Sequence, residues 1–163
     1  MKKIVLLTLL MFPALGAQAE YRKVSLTVFG MDCAPCAHAI HVSMKGIRGV
    51  DKVDVDLNTG LVVIQLTQGN KATMQQFNAA VEKNGFTHKD AKVVAVGKLG
   101  GTPAAPYLEI SGTADHYALS PSGQPADLTG LSGKTVTVSG ALPQAAKGKV
   151  PERLTYDSIV EAQ

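Results

Sequence analysis

The sequence predicts an α+β protein in which a βαββαβ domain is followed by a small all-β domain. Two observations predict this class. Over residues 20–97 the spacing of apolar residues switches between two and three to four, which is typical of strands interleaved with helices. Beyond that point five of the eight prolines lie between Pro106 and Pro151, and no helical stripe of useful length occurs.

Residues 1–19 have the layout of a secretory signal peptide. Basic residues precede an apolar run at residues 4–15, and Ala17 and Ala19 provide the small-x-small pattern that signal peptidase accepts. The run is shorter than the ~20 residues that a membrane span needs, and no later segment approaches that length. We therefore expect a mature chain that lies in the periplasm and does not span a membrane.

The charge balance argues against a nucleic-acid partner. The chain has 16 Lys and Arg against 13 Asp and Glu, and two of the lysines, Lys2 and Lys3, belong to the predicted signal. The mature chain is therefore nearly neutral, whereas a nucleic-acid-binding protein normally carries a basic excess on one face.

The first strand and the first helix follow the signal directly. Apolar residues alternate over residues 24–28, which indicates a half-buried strand that ends at Gly30. Pro35 suits the first turn of a helix, where no amide donor is missed. The helix is predicted because apolar residues recur at steps of three and four, at Ala37, Ile40, Met44 and Ile47.

A hairpin, a second helix and a fourth strand complete the first domain. Residues 50–57 and 61–66 are predicted strands, joined by a turn at 58–60. The apolar stripe over residues 71–83 predicts the second helix, and residues 91–96 the fourth strand. The resulting βαββαβ order is the ferredoxin-like arrangement, with two helices on one face of an antiparallel sheet, and it occupies residues 20–97.

Residues 98–106 are predicted to be a linker because glycine and proline are concentrated there. Residues 107–163 then form the small β-rich domain of unknown role. Through Ser111-Gly112-x-Ala114 and the glycine-flanked strand of residues 131–140, this part resembles small periplasmic OB-like barrels. Its predicted strands are residues 107–112, 116–119, 134–138 and 154–160.

Chemistry is concentrated at Cys33 and Cys36, the only two cysteines. The pair forms a metal site, a redox dithiol or one local disulfide. Cys36 is predicted in the first helical turn, where unpaired amides and the helix dipole favour a thiolate. Gly30 permits a tight entry turn, and Met31 either folds back as a hydrophobic plug, which we favour, or acts as a further ligand. Two thiolates facing one point favour a soft ion.

The heptapeptide from Gly30 to Cys36, Gly-Met-Asp-Cys-Ala-Pro-Cys, carries a family resemblance. With the helix and the Gly49-Val50-x-x-Val53-x-Val55 pattern that follow, residues 22–96 resemble the heavy-metal-associated domain. This domain is shared by copper chaperones, metal-binding domains of P-type ATPases and periplasmic mercury-binding proteins. The resemblance implies a non-enzymatic metal carrier or scavenger that hands its ion to a metal-transporting membrane protein or another dithiol acceptor. It also places Phe86 beside the site.

Two thiolates without a third soft ligand favour Hg(II) or Cu(I), which accept near-linear two-coordination. A structural zinc site, by contrast, normally has four ligands. Asp32 adds Zn(II) and Cd(II) as alternatives, since Gly-Met-Asp-Cys resembles the form in zinc, cadmium and lead transporting ATPases, where the carboxylate is an oxygen ligand. Otherwise Asp32 is a solvated loop residue or caps the helix. His38 and His41 point away from Cys36 on a helix and are predicted to be surface imidazoles.

The competing function is a periplasmic dithiol redox protein, since Cys-Ala-Pro-Cys has a proline where thioredoxin-type motifs have one. Such enzymes also carry a proline opposite the dithiol, whereas none occurs here between Pro35 and Pro103. They also carry a tryptophan before the first cysteine, and this chain has none. The sequence therefore favours metal binding.

Overall fold

The computed structural model describes residues 18–163, so all but the last two residues of the predicted signal peptide lie outside the described part. Within that part, no helix has both the length and the apolar character needed to cross a membrane. The elements in chain order are β1 Glu20–Phe29, α1 Ala34–Lys45, β2 Val50–Asp56, β3 Leu61–Leu66, α2 Met74–Lys83, β4 Thr87–Thr102, β5 Ala105–Glu109, β6 His116–Pro121, β7 Thr135–Leu142 and β8 Arg153–Glu161.

The predicted βαββαβ order is confirmed by the first six elements. Their strands form an antiparallel sheet in the order β2-β3-β1-β4. In β1 the side chains of Val24, Leu26 and Val28 are buried, as the period of two predicts. Helix α2 begins at a capping box, in which Thr73 and Gln76 satisfy each other's backbone amides.

The linker predicted for residues 98–106 is not found. Strand β4 continues to Thr102 and turns directly into β5, with Lys98 paired to Glu109 and Thr102 to Ala105. Gly97 and Gly100 lie within strand β4. These strand positions need glycine because neighbouring residues approach too closely for a side chain: a Cβ at Gly100 would lie 2.2 Å from the Tyr107 ring. These glycines mark close packing between strands and not flexibility.

Residues beyond this hairpin are all-β in the described structure and close into a barrel with the second half of β4. The order around the barrel is β4-β5-β6-β8-β7, and β7 returns to β4. The pair β6–β8 is parallel and the other pairs are antiparallel. Strand β4 is therefore shared by the sheet and the barrel.

The barrel also covers an edge of the first sheet. Strand β7 pairs with β4 from Ala91↔Leu142 to Lys98↔Thr135, on the side of β4 that β1 does not use. Edge strands present unpaired amides and carbonyls, so this pairing removes one exposed edge. One contiguous cluster of buried apolar residues runs from the helical layer into the barrel.

A buried polar cluster joins the two parts; we call Tyr21, Asp115 and Tyr117 the interdomain cluster. The Tyr21 hydroxyl donates to Asp115 Oδ2 at 2.7 Å and lies 2.6 Å from the Tyr117 hydroxyl. Asp115 Oδ2 also accepts from the Met74 amide at 2.7 Å, at the N-terminus of α2. A carboxylate from the barrel thus satisfies an amide that the helix itself leaves free.

Candidate metal centre

The loop between β1 and α1 presents both cysteines at one end of the sheet. Gly30 has φ +78°, a left-handed conformation that glycine adopts without steric cost. Cys33 is the N-cap of α1, with extended backbone, and its Sγ accepts from the Cys36 amide at 3.1 Å. Cys36 lies in the first helical turn, as predicted. The free amides at this helix end stabilise negative charge on a sulfur atom.

The two sulfurs are bonded to each other in this structure. Cys33 and Cys36 form a disulfide with their Cα atoms 5.1 Å apart, and no other cysteine exists in the chain. A disulfide sulfur is not a thiolate ligand, so this is the oxidised form of the candidate site. Taking up an ion requires two-electron reduction of the pair first.

Asp32 completes a group of three potential ligands. One oxygen of its carboxylate and the sulfurs of Cys33 and Cys36 all lie within 4.8 Å of one another. This is the one group of three or more His, Cys, Asp or Glu ligand atoms found in residues 18–163. Asp32 is exposed and both cysteines are half-buried, so an incoming molecule can reach them. Since Cys33 caps α1, the alternative in which Asp32 is the cap is wrong.

Met31 and Phe86 are both part of the apolar packing next to the dithiol loop. Met31 is 4% exposed and belongs to the apolar core, which fits the packing role. Phe86 packs against the same core, and its ring lies 3.6 Å from the position that a Cβ at Gly30 would occupy. The aromatic ring therefore covers the entry turn of the dithiol loop.

The histidines lie outside this group. His38 is exposed, His41 is half-buried on α1, and neither joins the three potential ligands. His88 is buried and its Nδ1 lies 2.5 Å from the Lys89 carbonyl oxygen, so the ring is held by backbone. His116 is exposed at the start of β6.

Sequence reasoning missed that the barrel reaches this end of the molecule. The connection between β7 and β8, residues 143–152, lies against α2 and the start of β4. Asn78 Nδ2 donates to the Lys149 carbonyl at 3.2 Å, and the Gly148 amide donates to Glu82 Oε1 at 3.0 Å. The Gln144 amide donates to Asp90 Oδ1, also at 3.0 Å. No local pattern reveals these contacts, because each joins residues more than fifty positions apart.

Comparison with known proteins matches the part of the chain that contains the dithiol loop. A family model described as the heavy-metal-associated domain matches residues 25–87. The copper chaperone CopZ of Staphylococcus saprophyticus is 34% identical over 65 residues, which cover 40% of this chain and 94% of the chaperone. The periplasmic component of mercuric transport from Shewanella putrefaciens is 28% identical over 86 residues, covering 53% of this chain and 93% of that protein.

A larger relative shares only this portion. The zinc/cadmium/lead-transporting P-type ATPase of Shigella sonnei is 31% identical over 78 residues, 48% of this chain but 10% of the ATPase. The two small relatives are thus matched over nearly their whole length, and the ATPase over a tenth. Together with the βαββαβ order and the Cys-x-x-Cys loop, these matches show that the chain belongs to the heavy-metal-associated domain family.

Proposed function

We propose that this protein is a periplasmic carrier that captures a soft metal ion between Cys33 and Cys36 and hands it to an acceptor. The observation that carries the proposal is the convergence of Asp32, Cys33 and Cys36 within 4.8 Å on a solvent-accessible loop. The periplasmic location is supported by the signal-like residues 1–19. The role is binding and transfer, without catalysis of a chemical reaction.

Cu(I) and Hg(II) are the ions that two thiolates suit best, because both accept two-coordinate sulfur ligation. Asp32 is the residue that would widen this preference, since its carboxylate oxygen adds a harder ligand suited to Zn(II) or Cd(II). The relatives support both groups of ions: their names refer to copper, to mercury and to zinc, cadmium and lead.

Handover follows from the exposure of the loop. A thiolate of the acceptor binds the ion while Cys33 and Cys36 still hold it, giving a three-coordinate state. One of the two cysteines, either Cys33 at the N-cap of α1 or Cys36 in its first turn, then dissociates from the ion and takes up a proton. The acceptor is a metal-transporting membrane protein or another protein with a dithiol, because only a similar ligand set matches this site in affinity.

The barrel resembles an OB fold in connectivity, and we propose that it belongs to that class. Support comes from its five strands, from the closure of β7 onto β4 and from the single parallel pair β6–β8. Its role in the carrier is to hold the first domain in one shape through β4, β7 and the interdomain cluster.

A dithiol redox protein is the second candidate, favoured by one observation: the Cys33–Cys36 pair is a disulfide in the structure. Reduced protein that turns over a disulfide substrate without forming a tight 1:1 metal complex would establish this function and exclude the carrier.

The carrier is tested by competition titration of the reduced chain with Cu(I), Hg(II) and Zn(II) against a chelator. We expect one ion per chain, with Cu(I) and Hg(II) held most tightly. In Asp32→Ala, affinity for Zn(II) should fall more than affinity for Cu(I). Asp157→Ala, which removes an exposed carboxylate from the barrel, is the matched control. Equal losses for both ions would exclude a ligand role for Asp32.

A further inference from the structure

A groove of about 810 Å³ lies between the two helices; we call it the helix groove. Its lining comes from α1, from the connection between α1 and β2, from the segment before α2 and from α2 itself. On α2 the lining residues are Gln76, Ala79, Ala80 and Lys83, which have the spacing of one helix face. The volume falls within the range of about 300–1,000 Å³ that is usual for small-molecule sites.

Cationic residues line the helix groove at both of its ends. At one end the connection after α1 packs directly on the segment before α2, since a Cβ at Gly49 would lie 2.5 Å from Asn70 Cβ. Arg48 and Lys71 are the chain neighbours of these two residues, and both line the groove. Lys83, the last residue of α2, lines the other end. An elongated ligand would therefore meet positive charge at each end.

Acidic residues do not balance these three cations. Residues 34–49 contain no Asp or Glu. Glu82 is the one acidic residue of α2, and it accepts from the Gly148 amide on the barrel side of the helix. Asp51 on β2 does not line the groove. Within residues 18–163, none of the three lining cations forms an ion pair. The helix groove is therefore a region of positive potential.

The uncharged polar side chains of the helix groove also present mainly donors. Gln76 Oε1 already accepts from the Thr73 amide at 3.0 Å, which leaves the Gln76 amide group to donate. Ser43 Oγ accepts from Asn84 Nδ2 at 2.8 Å, which leaves the Ser43 hydroxyl proton to donate. Lysine and arginine side chains have no acceptor. A ligand whose polar atoms only accept hydrogen bonds would suit this lining better than a peptide, which also brings N–H groups.

We propose that the helix groove binds a molecule that carries two or more phosphate groups. Phosphate oxygens only accept hydrogen bonds, and a guanidinium such as that of Arg48 binds two of them at once. More than one phosphate group is needed to reach the cations at both ends. Val42, which is 53% exposed, and Ala79 offer apolar contact between them. The site is separate from the dithiol loop and does not depend on the carrier function.

The test titrates the metal-free disulfide form of the full chain with sodium tripolyphosphate, followed by amide chemical shifts in NMR. Ionic strength is held constant, so that general screening of charges does not change. We expect saturable shifts at residues 42–48 and 76–83. Orthophosphate should bind at least tenfold more weakly, because a single group meets the cations of one end only. An absence of saturable shifts, or shifts confined to another surface, would overturn the proposal.

Substitutions of matched cations distinguish a site from general attraction. Arg48→Gln and Lys83→Gln should each weaken tripolyphosphate at least fivefold. Arg153→Gln and Lys92→Gln, which remove exposed cations outside the helix groove, should leave its affinity unchanged. Equal weakening by the controls would overturn the proposal. Lys83→Arg keeps the charge and should bind as the wild type does, which guards against an effect on the fold.

The chemical class of the ligand is tested by competition. Citrate or a blocked tetra-aspartate peptide that binds as tightly as tripolyphosphate would overturn the phosphate assignment, the second in favour of an acidic protein segment. Phosphatidylcholine vesicles that contain cardiolipin distinguish two sources of phosphate. Competition by these vesicles would identify a lipid headgroup as the ligand, and its absence a soluble phosphate; either result supports the proposal.

Metal titration separates this proposal from the carrier function. After reduction, Lys83→Gln should bind Cu(I) as tightly as the wild type in chelator competition, because Lys83 lies outside the group of potential ligands. A wild-type chain that binds tripolyphosphate but no metal would refute the carrier alone. A chain that binds metal but not tripolyphosphate would refute the phosphate site alone.

Discussion

The dithiol loop and the interdomain cluster place their polar groups in opposite environments, one open to solvent and one buried. In the loop, Asp32 is exposed and the cysteines are half-buried. Within residues 18–163, the one hydrogen bond to a cysteine sulfur comes from the Cys36 amide. In the cluster, Tyr21 and Tyr117 are fully buried and hydrogen-bonded to each other, and Asp115 accepts from both a hydroxyl and a helix amide.

The two environments suit two different roles: release of a metal ion to another protein, and stabilisation of the fold. Ligands that must release an ion to another protein need solvent access and few fixed partners. Groups that hold two domains together need the reverse, because a buried polar group without a partner costs about 1–3 kcal/mol. We therefore expect changes in the loop to alter metal binding and changes in the cluster to alter the free energy of unfolding, with little crossover.

The largest expected effect is that of oxidation on metal binding. The reduced chain should bind one soft ion, and the disulfide form should bind at least about a thousandfold more weakly, because no thiolate remains. The free energy of unfolding should change by only about 2 kcal/mol for so short a closed loop, against at least about 4 kcal/mol for metal binding. Chelator competition and urea unfolding of both forms check the two values. Equal metal affinity in the two forms would place the site elsewhere.

Asp115→Ala should produce the largest loss of stability from a single substitution in the cluster. It leaves the Met74 amide and one hydroxyl proton of the Tyr21–Tyr117 pair without an acceptor, for an expected cost of about 3 kcal/mol. Urea unfolding measures this, with Asp127→Ala, an exposed aspartate, as the control. Copper affinity of the reduced variant should stay within about twofold of wild type. A large fall in affinity would mean that loop and cluster are coupled.

Alkaline pH should weaken the cluster and leave the loop contacts intact. Burial, followed by the nearby Tyr117 and Asp115, raises the pKa of Tyr21, and burial followed by Asp115 raises that of Tyr117. Because the unfolded chain loses these protons near pH 10 while the folded chain keeps them, stability is fully present below pH 10 and falls above it. Each tyrosine contributes up to about 1.4 kcal/mol per pH unit.

Unfolding midpoints between pH 8 and pH 11 test this loss. Tyr117→Phe should remove about half of the slope above pH 10, whereas the half-exposed Tyr107→Phe should not change it. An unchanged slope in Tyr117→Phe would show that other groups cause the alkaline loss.

Gly30→Ala should have the smallest effect on stability. A Cβ at this position would meet Phe86 at an ordinary 3.6 Å, so space is available, but φ +78° disfavours any side chain. We expect a cost of about 1–2 kcal/mol. Gly123→Ala, where φ is ordinary and nothing lies within 4 Å, should be near neutral. Similar costs for both would mean that the entry turn adapts.

The sequence allowed the first domain and its site to be predicted because their signals are local. Each signal lies within a dozen positions: the alternating apolar residues of β1, the apolar stripe of α1 and the Cys-x-x-Cys spacing. The placement of Cys36 in the first turn and the burial of Met31 followed from these patterns.

The relation between the domains could not be predicted because it depends on distant contacts. Gly97 and Gly100 lie in a glycine-rich stretch of the kind that linkers have. Only the neighbouring residues on β5, such as Tyr107, show that these glycines are needed for close packing within a strand. Asp115 looks like any turn aspartate until its contacts with Met74 and Tyr21 are seen. The pairing of β7 with β4 likewise leaves no pattern in either strand alone.

The most direct test of the carrier is metal binding by the reduced Cys33→Ser, Cys36→Ser double variant. Its fold should be retained, because the interdomain cluster and the β4–β7 pairing do not involve either cysteine. Titrated with Cu(I) against a competing chelator, the wild type should hold one ion per chain and the double variant none. If the folded double variant took up the ion as tightly as the wild type, the dithiol loop would not be the metal site.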